Sequence, residues 1–508
     1  DATGKAILSN YHEDATFPVY EKNYWWGDAW NALDHGRDFD FSRAFFEQFH
    51  ELNQVVPRMN LIIVANEGCD YVSMTGWCKN CYLIYEAERN HDCMFSEYIY
   101  DCKNVLDSSF CRFCELCYEC INCERCYNGL FLQDCENCSD SAFLKDCIGC
   151  KNCFGSINLR NKEYYFMNEK CEKSVYEEKI AALKLGQYES ISGLRDHFKT
   201  FCQKYPHKYY TGKNNEDVSG NYLKNNKACF ECYDTEDCRD GRFLYNSVKG
   251  KDCFDVNLVL QNAERIYDSN CIGHGAQNVY FTFLAWENVS DVYYSEMCTR
   301  SQNVFGCSGV RNVKHCILNK AYTQHEYEKL STKIIQHMKE TGEWGEFFPI
   351  SMSPFAYNET VAQEYFPLTK EEALERGYGW RGEEESSPLK RGIQGVSGTP
   401  QAPLDKGGQI SDNIKDIPDS IINETLYCEI SGKPYRIQKA ELKFYRKMKL
   451  PIPRLHPDVR HLKRMKLRNP RELWNRKCAH TGKELLSTYS PDRPETILSE
   501  EAYAEVII

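Results

Sequence analysis

Between Cys111 and Cys126 the chain reads CRFCELCYECINCERC, with a cysteine at every third position. The pattern extends outward in both directions. From Cys69 to Cys171 there are seventeen cysteines, and each falls on a residue number divisible by three. From Cys202 to Cys316 nine more follow, Cys271 among them, all one residue past a multiple of three. Repetition at a short fixed period marks an architecture in which each unit packs on its neighbours. Written in nines the chain reads HDCMFSEYI, YDCKNVLDS, SFCRFCELC, YECINCERC. Units so short and so rich in Asn, Asp, Ser and Gly cannot supply the apolar spacing of an α-solenoid, whereas stacked parallel strands can.

Cysteines recur at 9, 12, 18 and 21 residues, and a coil of about 18 to 21 residues is expected. The register resets once, so two modules are expected, over residues 59–166 and 217–320. A duplication supports this. Phe154-Gly155, Leu159-Arg160-Asn161, Asn168 and Tyr176-Glu177 reappear as Phe305-Gly306, Val310-Arg311-Asn312, Asn319 and Tyr327-Glu328, at a constant offset of 151. Each module therefore ends in the same element, which leads into a helix that covers an otherwise unpaired coil end.

Residues 1–58 read as an N-terminal cap with a partial knuckle, packed on the first coil. Ser42 is the expected N-cap of a helix with Phe45, Phe46, Phe49 and Leu52 on one face. Residues 167–216 read as a helical insert, and 321–380 as a helical cap opened by Thr323 as N-cap, with a capping box at Thr369 and Glu372. Residues 381–424, rich in Gly, Pro, Ser and charge, read as a linker. The fold class expected is mainly β: two tandem cysteine-rich parallel β-solenoids with helical caps and insert, then a small α+β region at 425–508 resembling a degenerate zinc ribbon.

That last region is strongly basic. From Lys433 to Lys483 there are 17 Lys and Arg against three acids, a charge of +14 in a chain of net −12. Lys443, Arg446, Lys447, Arg460, Lys463, Arg464, Lys466, Arg468 and Arg471 could line a phosphate backbone, with Tyr445 and Trp474 for stacking. The same residues could equally dock on the chain's own acidic body. Cys428-x-x-Ser431-Gly432-Lys433 and Cys478-x-x-Thr481-Gly482-Lys483 have the shape of zinc knuckles, but each keeps one thiol where a structural site needs paired ligands. Cys428, His456 and Cys478 are the candidate metal ligands. No cofactor is expected apart from zinc at these knuckles.

The x-Thr-Gly-Lys knuckles, the Tyr24-Trp25-Trp26 stretch, Gly342-Glu343-Trp344-Gly345-Glu346-Phe347-Phe348-Pro349, Tyr357-Asn358-Glu359-Thr360 and the Cys-x-x-Cys coils together resemble a family of uncharacterised cysteine-rich, zinc-ribbon-bearing proteins predicted from candidate-phyla (Patescibacteria) bacterial genomes. The resemblance covers nearly the whole chain. It implies paired cysteines at positions held here by Ser431, His456, Val459, Thr481, Ser499 and Ala502, and it carries no activity.

No catalytic set is identified. Phosphate-cradling glycine loops, HExxH and GxSxG are absent. The Cys111–Cys120 run lacks the spacing break of a ferredoxin motif. His315 adjoins Cys316 on a strand and points away from it, whereas His91, two residues from Cys93, could share its face. Solenoid cysteines are expected to be reduced and inward-facing, which fits a reducing compartment such as the cytoplasm. The function expected is a non-catalytic structural or binding scaffold, self-assembling or engaging another protein. A metal- or nucleic-acid-associated protein and a carbohydrate-active β-helix enzyme are the alternatives.

Overall fold

The computed structural model describes residues 4–264, 267–273, 280–285, 290–382 and 410–507. Its body is a long parallel β-solenoid between residues 63 and 317, in two 12-stranded sheets separated by the helices Lys173–Ala182 and Tyr188–Cys202. The fold is mixed α/β rather than mainly β, because helices also flank the solenoid at Phe45–Val55, Gln324–Thr341, Lys439–Met448 and Pro457–Met465.

The coil is shorter than the 18 to 21 residues expected. Ser73 pairs with Tyr85, Tyr85 with Glu97 and Glu97 with Ser109, a step of twelve. Each coil consists of four triplets. The first residue of a triplet points inward, the second lies on a face, and the third turns the chain with a left-handed φ. Phe113, Leu116, Glu119, Asn122 and Arg125 have φ of 55°, 55°, 51°, 50° and 52°. Such a conformation costs a non-glycine residue about 1–2 kcal/mol. It recurs at every corner because three-residue sides close only if each corner turns this sharply, and the ladder that closure completes offsets the strain. Asn and Asp tolerate the conformation best and fill many corners. They also stack, as in Asn122 on Asp134 at 2.8 Å and Asn128 on Asp140 at 2.9 Å.

The triplet also explains the cysteines. A face residue donates its N–H to the inward carbonyl eleven residues ahead, as Glu67 does to Cys78 at 2.9 Å. A corner residue donates back thirteen residues, as Asn80 does to Glu67 at 2.9 Å. The inward residue's own N–H is left over, and a buried N–H must find a partner. Where the inward side chain one coil earlier can accept, it meets this N–H. Asn66 and Asn90 accept from Cys78 and Cys102 at 2.9 Å. Ser96 and Ser108 accept from Ser108 and Cys120 at 3.1 Å, and Cys69 and Cys238 present sulfur to Cys81 at 3.4 Å and Gly250 at 3.1 Å. The thiols in turn donate to carbonyls two residues back and nine ahead, at 3.4–3.6 Å around the coil of Cys111, Cys114, Cys117 and Cys120. That run is thus one complete ring of inward positions, all four thiols buried. Cysteine suits the column as a small buried hydrophobe that still serves backbone groups weakly at both ends. The side chain of Cys271 lies outside the described residues.

The two solenoids lie side by side and antiparallel. Arg58 meets Glu296 at 2.9 Å, Arg112 meets Glu236, Lys224 meets Glu124 at 3.2 Å and Lys213 meets Glu136 at 3.2 Å. The duplicated element ends both stacks. Glu163–Phe166 and Glu169–Lys170 form an antiparallel pair before the helix at Lys173, and Lys314–Ile317 and Lys320–Ala321 do so before the helix at Gln324. In the first, the Asn168 amide accepts from Ile157 N–H at 2.8 Å and donates to its carbonyl at 3.0 Å. In the second, Asn319 makes both bonds to Ser308 at 2.8 Å. Each side chain stands in for the peptide of a coil that is not there.

The N-terminal helix departs from expectation twice. Ser42 does not cap it; its hydroxyl bonds Asp40, and the N-terminus is held by the Glu343 carboxylate, which accepts from Phe45 and Phe46 N–H at 2.9 and 2.8 Å. Its aromatic stripe packs on the last coils of the second solenoid, against Tyr294, Phe305 and Leu318, and not on the first coil. The antiparallel arrangement brings those coils to the start of the first solenoid. Thr323 and Thr369 both cap as expected, in capping boxes with Glu326 and Glu372. Most of the expected linker, 383–409, lies outside the described residues. Its end is packed, with Ile414, Ile417 and Ile421 buried against the first solenoid and the C-terminal helices.

Candidate functional site

The basic segment wedges between the two solenoids. Its helix Pro457–Met465 and the turn after it place Arg460, Arg464, Arg468 and Arg471 along one side. Arg460 pairs with Asp107 and Glu441 and donates to the Tyr445 hydroxyl at 3.1 Å. Arg464 meets the other Asp107 oxygen at 2.9 Å and donates to the Phe95 carbonyl at 3.1 Å. Arg468 and Arg471 converge on Asp234 of the second solenoid. The Arg468 guanidinium lies 3.7 Å from the Phe110 ring of one solenoid and 4.1 Å from the Tyr222 ring of the other. It is a bolt through both. Asp107 is fully buried, so these are desolvated pairs whose disruption is expensive.

These four arginines therefore face the chain's own acids and are closed to an external phosphate backbone. Lys443, Arg446, Lys447, Lys463 and Lys466 are exposed, and Arg446 pairs with Asp419. The docking acids gave no signal in the sequence. Asp107 and Asp234 sit at corner positions where an Asp is expected for its backbone, and their arginines lie 353 and 234 residues away.

The knuckles fold as matching hairpins. Cys428 donates its N–H to the Lys433 carbonyl at 3.0 Å and Gly432 returns one to Cys428 at 2.9 Å; Cys478, Lys483 and Gly482 repeat this at 2.9 Å each. The sulfurs accept backbone N–H groups, Cys428 from Ser431 at 3.4 Å, Cys478 from Thr481 at 3.5 Å and Ser499 at 3.3 Å. Burial works against the Cys478 thiolate, but its hydrogen bonds with Thr481, Ser499 and His480 outweigh it and bring the thiol down to about 6. Cys428 is lowered by the same opposition of burial and hydrogen bonds. His456 caps the helix Pro457–Met465, its Nδ1 accepting from Asp458 N–H at 3.2 Å, and burial lowers its pKa. Among the described residues, Cys428, His456 and Cys478 join no group of three or more ligands. Among the described residues one such group occurs, Glu97, Glu364 and His461, with donor atoms within 4.8 Å of one another.

His91 and Cys93 do not share a face. The corner at Asp92 (φ 54°) lies between them and turns His91 to solvent and Cys93 to the core. No helix among the described residues is long and apolar enough to cross a membrane. No protein-family model matches the chain, and comparison with curated proteins finds no significant relative.

Proposed function

We propose that the chain is a non-catalytic scaffold that associates with a second copy of itself through an exposed edge of the first solenoid. One observation carries this reading. Trp77, Arg89, Asp101, Phe113 and Arg125 occupy the same corner in five successive coils, so a twelve-residue step turns a scattered sequence into a straight row. Trp77 and Phe113 are 55% and 50% exposed. Arg89 bridges to Asp101 at 2.7 Å, and the Arg125 guanidinium lies 5.5 Å from the Phe113 ring. Exposed aromatic and arginine side chains along one edge are the composition of interface anchors, and in a reversed copy across a two-fold axis Trp77 would face Phe113 and Arg89 would face Asp101.

Sedimentation velocity of the full chain over a range of concentrations tests the proposal. A concentration-dependent dimer is expected, with W77E/F113E monomeric and equally stable to heat. A chain monomeric into the high-micromolar range overturns self-association, and turnover of a polysaccharide in a glycan-cleavage screen overturns the non-catalytic reading.

A further inference from the structure

One face of the second solenoid carries an aromatic column. The register aligns Phe230 with Arg242, Arg242 with Phe254, and then Tyr267, Tyr280, Tyr293 and Phe305 in turn, so six of the seven positions over seven successive coils are aromatic. Neighbours in such a column stand about 4.8 Å apart. At its far end the column is covered. The Trp344 ring stacks on Phe305 with centroids 6.3 Å apart, and the Phe45 ring meets Phe305 edge-on at 5.4 Å. At its near end Phe230 and Phe254 are 40% and 47% exposed. There the column borders a groove of about 640 Å³ between the solenoid and the C-terminal region. The same groove is lined by Tyr233 and Tyr245, whose rings stack at 5.8 Å and 6°, and by Leu473 and Leu486. We propose that this groove and column bind a linear, uncharged polysaccharide lying along the solenoid axis.

Two arguments select that ligand. The first is shape and polarity. A pyranose offers flat C–H faces and a rim of hydroxyls, so it stacks on an aromatic ring while its hydroxyls meet polar groups at the ring's edge. The corners beside the column supply such groups, Glu231 and Asp255 on one side and Asp240 and Asp252 on the other. A polymer that repeats along its length meets a surface that repeats once per coil, and each further sugar finds another ring. The second is charge. Arg242 pairs with Glu231 at 2.7 Å and Arg471 with Asp234 at 3.0 Å, so both guanidiniums in the groove are neutralised by the chain itself. A polyanion gains no free guanidinium there, and a polycation would meet Arg242 in the middle of the row. The site lies on the second solenoid and is independent of the Trp77 and Phe113 edge, so glycan binding does not rest on self-association.

Native affinity electrophoresis of the full chain tests this, in gels containing xyloglucan, laminarin or galactomannan, with polygalacturonate as the anionic comparison. Retardation by at least one neutral polysaccharide is expected, and it should persist from about 50 to 500 mM salt because no ion pair is made with the ligand. Titration calorimetry with oligosaccharides of the retarding glycan should show the hexasaccharide binding about tenfold more tightly than the disaccharide. F230A/F254A should weaken binding about tenfold or more, F230W/F254W should keep it, and W77E/F113E should bind as the parent does. F254A alone, at the more exposed of the two rings, should show the same direction, so a folding defect in the double variant leaves the test intact. Absence of retardation by every neutral glycan overturns the proposal, as do retardation by polygalacturonate alone and binding that survives F230A/F254A.

Discussion

The two solenoids use the same triplet with different discipline. Every parallel pairing in the first spans twelve residues, from Ile63 with Thr75 to Lys151 with Glu163. The second opens with a step of eleven, Gly212 with Leu223, and shifts register between Val218 and Gly220. It then takes three successive steps of thirteen, from Phe254 to Tyr267, Tyr280 and Tyr293. Three extra residues make one whole triplet, so Cys253 before the slips and Cys298 after them keep the same phase and are both buried. The length of a coil is therefore negotiable: each step of thirteen shifts the sequence phase of the inward residues by one, and three of them together restore the phase of the cysteines.

The two solenoids should also differ in how firmly they hold the arginine row. D107N leaves Arg460 and Arg464 buried beside a neutral group and is expected to cost about 3–5 kcal/mol, read as a lower urea midpoint. D234N should cost about 1–3 kcal/mol, because Arg468 keeps its two aromatic faces. Equal losses would mean that the second solenoid holds the C-terminal region as tightly as the first.

Irregularity itself can be tested at two glycines. A Cβ on Gly220, at φ 132°, would lie 1.7 Å from the Cys232 carbonyl oxygen, whereas one on Gly149, at φ 66°, would meet the Asn161 side chain at 2.2 Å. G220A should destabilise by about 3 kcal/mol or more, since backbone must move. G149A should cost about 1–2 kcal/mol, because an amide can swing away and the corner conformation is one that non-glycine residues adopt throughout this solenoid. If G149A proved the worse, the bulge at Gly220 would be dispensable.

The smallest effect concerns pH. Glu86 and Asp134 lie on corners of the first solenoid, and both are raised by burial to about 7. A group whose folded pKa is raised adds stability that is complete below its unfolded value, near 4, and is lost as pH rises through 7. Heat stability should therefore decline between pH 4.5 and 8, and E86Q or D134N should each flatten that decline by on the order of 1–2 kcal/mol, less than the full shift implies because water still reaches these half-buried corners. An unchanged slope in both variants would place the dependence elsewhere, with the His461 cluster the next group to test.

The triplet phase and the two modules were legible in the cysteines, and the shared ending at offset 151 in the repeated Phe-Gly, Arg-Asn, Asn and Tyr-Glu positions beside them. The coil length was not, because any coil made of whole triplets keeps thiols inward and 9, 12, 18 and 21 all qualify. The discriminating signal lay one residue earlier, in corner pairs such as Asn122 with Asp134 and Asn128 with Asp140. The helix cap at Phe45 was misread because its partner, Glu343, lies nearly 300 residues on. The arginine row was legible as charge but not as an interior, for its acids look like ordinary corner residues.

The amides of Asn168 and Asn319 carry a consequence for how such a molecule can change size. Since one side chain closes each stack, a coil inserted anywhere upstream needs no new ending, and growth comes in units of twelve. Yet the ion pairs along the seam run in opposite directions on the two solenoids, so a coil added to one alone would carry every rung beyond it out of reach. Length here is a shared property: the pair can only lengthen together.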